Sequence, residues 1–269
     1  KIIFRWKSKI VFRNANKVSD FVSPGPKKLF NRLLVNRVDH VISVSELCRL
    51  DFVKTYGCDV SKTTTVTIGI QANARQYNLP ADLSRTFQSG KVLLHVASFV
   101  PEKNHEGLLR IAQMLTARKV DFKLLLVGEG KLRANMEQQV PERGLSDCVY
   151  FAGYRNDIPD LMARASAVVL PSLIEGLPGV ILEAMYCKTP VIAYDVGGIS
   201  EVVKNGETGW LIGKGDEEKF VDAIINVLQS NVEKIKSNAY QMVIQYYDNR
   251  VVAGKFEKVY ECLAKSAVY

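Results

Sequence analysis

Ala167-Val-Val-Leu-Pro-Ser-Leu-Ile-Glu-Gly-Leu-Pro-Gly-Val-Ile-Leu-Glu-Ala-Met185 reads as strand, loop and helix in immediate succession. The short apolar run Ala167 to Leu170 fits a strand buried on both faces, as in a parallel sheet. Gly176, Pro178 and Gly179 punctuate a tight loop, and Val180 to Cys187 has helical character. Glu175 therefore falls in the loop and Glu183 on the opening turns of the helix. In open parallel α/β sheets ligands bind outside the carboxyl ends of the strands, where such loops gather. Both carboxylates are expected to face one ligand there.

An ionised carboxylate offers two acceptor oxygens, which suit the adjacent hydroxyls of a sugar or a ribose. The amides of Gly179, Val180 and Ile181 are expected to point out of the helix start, where the helix dipole favours an anion such as a diphosphate. Carboxylates and amides together describe a nucleotide-sugar pocket. A glutamate near a helix start also serves plain dipole stabilisation, and a glycine-rich turn is ordinary α/β architecture. The whole run carries more information than either residue, because it resembles the E-x7-E signature of the retaining glycosyltransferases of family 4, which have the GT-B fold.

The alternation on either side agrees. Strand-like runs at 91–97, 122–127, 149–152, 167–170, 191–194 and 209–212 are separated by helix-like segments at 105–118, 131–143, 158–165, 180–187, 198–204 and 216–229. That order predicts an α/β doubly wound parallel sheet. Upstream, His40 to Val44 reads as a buried strand, Ser45 as the cap of a helix to Tyr56, and Thr64 to Ile68 as another strand. The polar stretch from Gln71 to Gly90 reads as a link. By the resemblance, residues 1–75 form a partial N-terminal, acceptor-side domain and 76–250 a complete Rossmann-like nucleotide-sugar domain. Residues 251–269 form a helix packing back on the first domain. The likeness runs from Asp39 to about residue 260, and family members usually carry a longer N-terminal domain, so the first part of that domain is expected to be missing.

The resemblance also implies roles. Ala97-Ser-Phe-Val-Pro-Glu-Lys103 is similar to the family's phosphate loop, G-R-x-x-x-x-K, with Lys103 on the lysine. A cation there would bind the diphosphate and steady the charge that builds on it as the glycosidic bond breaks. Ala97 and Ser98 replace the glycine and arginine, which removes a bidentate phosphate donor. Glu183 would hold the ribose hydroxyls and Glu175 a donor-sugar hydroxyl. The backbone of Gly176, Leu177, Pro178 and Gly179 would meet sugar and diphosphate. The segment Phe151 to Asp157 resembles the one that touches the base, with Tyr154 and Arg155 acting mainly through their backbone. Gly197 and Gly198 read as a structural turn. The implied reaction is retaining transfer of a hexosyl or N-acetylhexosaminyl group from a nucleotide-diphosphate sugar, UDP-linked by likeness. The acceptor is a polysaccharide or lipid-linked oligosaccharide, and neither cofactor nor metal is required. An epimerase of the same fold, or a binding module without transfer activity, are the alternatives.

Other motifs fail. Gly128-Glu-Gly130 would need glycine at 133 for a dinucleotide fingerprint and has Arg133. A P-loop would need Ser or Thr after Lys131 and has Leu132, and a hydrolase elbow fails at Val202. Five cysteines without a C-x-x-C pair suit reduced thiols, and three histidines at 40, 95 and 105 offer few metal ligands.

Charge is unevenly spread over the 269 residues. Of 36 basic and 28 acidic residues, ten and two fall in residues 1–40, leaving 26 of each in the remainder. Ile2, Ile3, Phe4, Trp6, Phe12, Phe21, Phe30 and Leu33 interleave with those cations, a mixture suited to an anionic membrane surface. Nucleic acid is the competing partner and a solvated basic face the third reading; nucleic acid is the less expected of the two partners. No apolar stretch reaches about 18 residues, and the charged start lacks a signal-peptide core. The expected location is cytoplasmic, peripheral at the inner membrane face.

Overall fold

The computed structural model describes residues 8–72, 76–88 and 90–265. Two all-parallel sheets organise the chain. The first holds β1 (Val11–Asn14), β2 (His40–Ser43) and β3 (Thr63–Thr65) in that order, with α1 (Pro26–Val35) and α2 (Glu46–Tyr56) between its strands. After α3 (Ser84–Gln88) the second sheet begins. Its elements are β4 (Val92–Val96), α4 (His105–Ala117), β5 (Lys123–Val127), α5 (Arg133–Glu142), β6 (Val149–Gly153), α6 (Ile158–Arg164), β7 (Ala167–Leu170), α7 (Gly179–Tyr186), β8 (Val191–Tyr194), α8 (Ile199–Val202), β9 (Trp210–Ile212) and α9 (Glu217–Gln229). Two further helices follow, α10 (Glu233–Tyr246) and α11 (Asn249–Lys265).

The six strands lie in the order β6-β5-β4-β7-β8-β9. Chain order reverses between β4 and β7, so the loops leaving these neighbours diverge and open a crevice at their carboxyl ends. Every residue of β7 and β8 is buried, as a strand covered on both faces requires. Helices supply the cover: α4 packs on α9, and α7 on α6 and α10.

Several elements exceed the sequence expectation. β1, α1 and α10 had no counterpart in the hydrophobic pattern. β1 exposes Phe12 and Arg13, and α10 buries only Ala239 and Val243, so neither writes a clear period. Ser45 caps α2 as expected, its side chain accepting from the Cys48 amide at 3.1 Å.

The chain crosses between the sheets twice, and the crossings touch. The Ile70 amide donates to the Tyr247 carbonyl at 2.8 Å, and the Asn249 amide donates to the Ile70 carbonyl at 2.9 Å. From there α11 returns to the first sheet, where Val252 joins Ile42 and Val66, with Phe256, Val259 and Val11 at the edge. Part of residues 1–40, namely 1–7 with Ile2, Ile3, Phe4 and Trp6, lies outside the described residues, as do 73–75, 89 and 266–269.

Candidate active site

Two loops at the sheet's reversal point are stitched together. After β4 the chain passes exposed Ser98 and buried Phe99 and makes a single turn at Pro101–Lys103. Asn104 then takes left-handed backbone (φ 56°), a conformation asparagine tolerates, and caps α4 by accepting from the Gly107 amide. Its Nδ2 donates to the Pro171 carbonyl after β7 at 3.0 Å, and the Leu173 amide donates to the Glu102 carbonyl at 2.8 Å. Between these ties the Lys103 ammonium donates to Glu175 Oε1 at 2.5 Å. The glutamate side chain is 7% exposed and the lysine 25%, so the contact is poorly screened by solvent.

Close backbone approach explains the glycines. A Cβ on Gly128 would lie 2.1 Å from the Ala97 carbonyl oxygen, and one on Gly130 2.6 Å from that of Phe99. The Gly128-Glu-Gly130 turn therefore supports the β4 loop and is no dinucleotide fingerprint. A Cβ on Gly176 would lie 1.9 Å from the Ala15 oxygen of the first sheet's loop, and one on Gly198 2.5 Å from Ser45 Cβ. Gly197, at φ 56°, presses on the Glu175 carbonyl, and the Gly198 amide donates to Gly176 O at 2.5 Å. The Glu175 loop is thus wedged between the two sheets.

Glu183 has different surroundings. It lines a cavity of about 260 Å³ with Ile70, Gln71, Tyr77, Pro159, Tyr186 and Cys187. Lys103 and Glu175 are not among the lining residues, so the two glutamates do not share this cavity. Water reaches Glu183, yet the concave wall desolvates its carboxyl and raises its pKa above the usual value. At the start of α7 the Ile181 amide is turned back on the Pro178 carbonyl at 3.2 Å, which corrects the expectation that it faces outward. Leu177 packs its side chain into the core and is buried as a whole, as are Gly176 and Pro178, while Gly179 is half-buried.

Tyr154 is 74% exposed. Arg155 forms a two-pronged contact with Asp157, at 2.8 and 2.6 Å, and reaches Asp82 at 2.7 Å. These carboxylates hold its pKa above the ordinary arginine value and occupy its guanidinium. Its side chain therefore fastens the inter-sheet link to the β6 loop. The same loop, with Asn156 and Asp160, lines a shallow open depression.

Sequence reading missed the packing beneath the β4 loop. His105 stacks on Phe99 with ring centroids 4.0 Å apart and meets His95 edge-on at 4.8 Å. Burial lowers the pKa of His95 to about 4, against the effect of its hydrogen bond to the Val169 carbonyl, and that of His105 to about 3. Both rings are neutral near pH 7 and serve as an uncharged floor under Lys103. Periodicity carries no sign of such a contact. Among the described residues no cluster of His, Cys, Asp and Glu is suited to a metal ion.

A doubly wound sheet with a cation and a carboxylate joined at its reversal point, facing a smaller parallel sheet, defines a GT-B architecture. The chain belongs to the family described as Glycosyl transferases group 1, which matches residues 84–242. It is 32% identical over 178 residues to N-acetyl-alpha-D-glucosaminyl L-malate synthase of Bacillus anthracis, covering 64% of this chain and 46% of that protein. It is 24% identical over 249 residues to poly(ribitol-phosphate) alpha-N-acetylglucosaminyltransferase of Staphylococcus aureus (strain COL), covering 90% and 48%. A crystal structure of Anabaena HepE in complex with UDP and glucose superposes with a TM-score of 0.83 at 25% identity, covering 96% of this chain and 72% of that one. The chain spans about half the length of the curated relatives it matches.

Proposed function

We propose that the protein is a retaining glycosyltransferase of family 4 that moves a hexosyl or N-acetylhexosaminyl group from a UDP-linked sugar to a glycan. The acceptor is a polysaccharide or lipid-linked oligosaccharide at the cytosolic face of a membrane. The observation that carries the reading is the Lys103–Glu175 contact across the β4 and β7 loops. It sets a cation and a hydroxyl acceptor side by side where doubly wound folds bind nucleotides. Relatives named for N-acetylglucosaminyl transfer and a structural neighbour holding UDP support the donor class.

In this scheme Lys103 exchanges Glu175 for the donor's diphosphate and stabilises the charge on the departing group. Glu175, released, accepts from a sugar hydroxyl, and Glu183 holds the ribose. Backbone amides of the Gly176–Gly179 loop and the exposed Ser98 complete the phosphate cradle, and Tyr154 packs on the base. The departing phosphate removes the acceptor proton, as the family resemblance implies, and the scheme needs no metal.

A thermal-shift panel of nucleoside diphosphates and their sugars tests this reading, because a ligand selective for the native state raises apparent stability. UDP or a UDP-sugar is expected to raise the melting temperature. Glu183→Ala should weaken that response while leaving the ligand-free melt intact. A panel in which no nucleotide moves the melt removes the proposal. Donor consumption without acceptor would reassign the chain to epimerisation, and binding without turnover would reassign it to a binding module.

A further inference from the structure

Lys103 is bracketed by two ties, and both run to the segment that leads into Glu175. On one side the Glu102 carbonyl accepts from the Leu173 amide, and on the other Asn104 Nδ2 donates to the Pro171 carbonyl. The first tie is backbone to backbone and indifferent to side chain. The second depends on what stands at 104, where three demands meet. The chain leaves the turn at Pro101–Lys103 through left-handed backbone (φ 56°, ψ 44°), which glycine and asparagine adopt most readily. The side-chain oxygen caps α4 by accepting from the Gly107 amide at 3.2 Å. The nitrogen of the same amide group reaches across to Pro171. Glycine would meet the first demand alone, and aspartate would present an oxygen to a carbonyl that needs a donor.

Gly107 completes the arrangement. A Cβ there would lie 2.4 Å from Asn104 Nδ2 and 2.7 Å from its Oδ1, and the three atoms nearest to that position all belong to Asn104. A glycine inside a helix costs helix propensity, and here it leaves room for the asparagine amide. Asn104 and Gly107 form one device that holds the β4 loop against the β7 loop.

We propose that Asn104, seated over Gly107, is a positioning residue that aligns the Lys103 ammonium with Glu175 and aims it at the donor's diphosphate. It acts through Lys103 and touches no substrate itself. The destination of the ammonium rests on the transfer reading, whereas its alignment with Glu175 does not.

Two uncharged changes test the proposal. Asn104→Gly keeps the backbone handedness and removes the side-chain tie, and Gly107→Ala leaves Asn104 in the sequence while taking the space of its amide. The first readout is the coupling between Lys103→Ala and Glu175→Ala, measured by urea unfolding as a double-mutant cycle on each background. In the parent the coupling is expected to change the unfolding constant by about tenfold, and in both variants it should largely vanish. A loss of packing alone would lower every midpoint of the cycle and leave the coupling where it was. The second readout is calorimetric titration with UDP and with uridine. Both variants should weaken UDP roughly tenfold and leave uridine, which carries no phosphate, unchanged. Adding Gly107→Ala to Asn104→Gly should bring no further loss, because the amide it displaces is already gone.

Parental coupling in the Asn104→Gly background overturns the proposal, as does equal weakening of UDP and uridine. A parent chain that binds neither ligand removes the transfer reading, and the cycle still decides whether Asn104 aligns Lys103.

Discussion

At the scale of single residues, the Lys103–Glu175 contact decides most. A carboxylate this deeply buried is tolerated because a cation neutralises it, and removing one partner leaves the other's desolvation uncompensated. Lys103→Ala should therefore lower unfolding stability by about 1–3 kcal/mol, while Lys103→Ala with Glu175→Ala should lower it less. Urea midpoints at constant slope check the difference. A double variant that loses the sum of the Lys103→Ala and Glu175→Ala losses would mean that the side chains are not coupled. The sequence pointed to Glu175 by its spacing from Glu183, and to Lys103 through the family resemblance of its loop. It offered no hint that they meet, because the ties that align them, Asn104 to Pro171 and Leu173 to Glu102, span loops far apart in the chain.

At the scale of elements, two glycines have opposite roles. Gly197 needs left-handed backbone, and its Cβ would lie 1.9 Å from the Glu175 carbonyl oxygen. Gly197→Ala is expected to destabilise by roughly 1–3 kcal/mol and to weaken any ligand response by moving Glu175. Gly254 in α11 has open space around it, and Gly254→Ala should stabilise by about 0.5–1 kcal/mol through helix propensity. Thermal melts of the two variants should move in opposite directions. The strands of the second sheet were legible because burial on both faces writes continuous apolar runs, as in Ala167 to Leu170. β1 and α1 were not, since one edge strand shows Phe12 and Arg13 outward and one helix wears its apolar side outside. A pattern read as inward-facing burial misses such elements.

At the scale of the molecule, polar contacts join the layers of the two sheets. Glu201 on α8 accepts from the Glu46 and Leu47 amides at the start of α2, at 3.0 and 2.8 Å, so a helix beside the second sheet caps one beside the first. Glu201→Ala should cost about 0.5–2 kcal/mol and speed amide exchange at residues 46 and 47 relative to α4. Uniform exchange would show that the contact does not join the halves. The return of α11 has a temporal consequence. Ile42 and Val66 are translated before the second sheet, yet the side chain that covers them, Val252, is translated after it. The first sheet therefore waits, one face bare, through synthesis of the whole second sheet, and the nascent chain depends on that interval passing without a wrong partner.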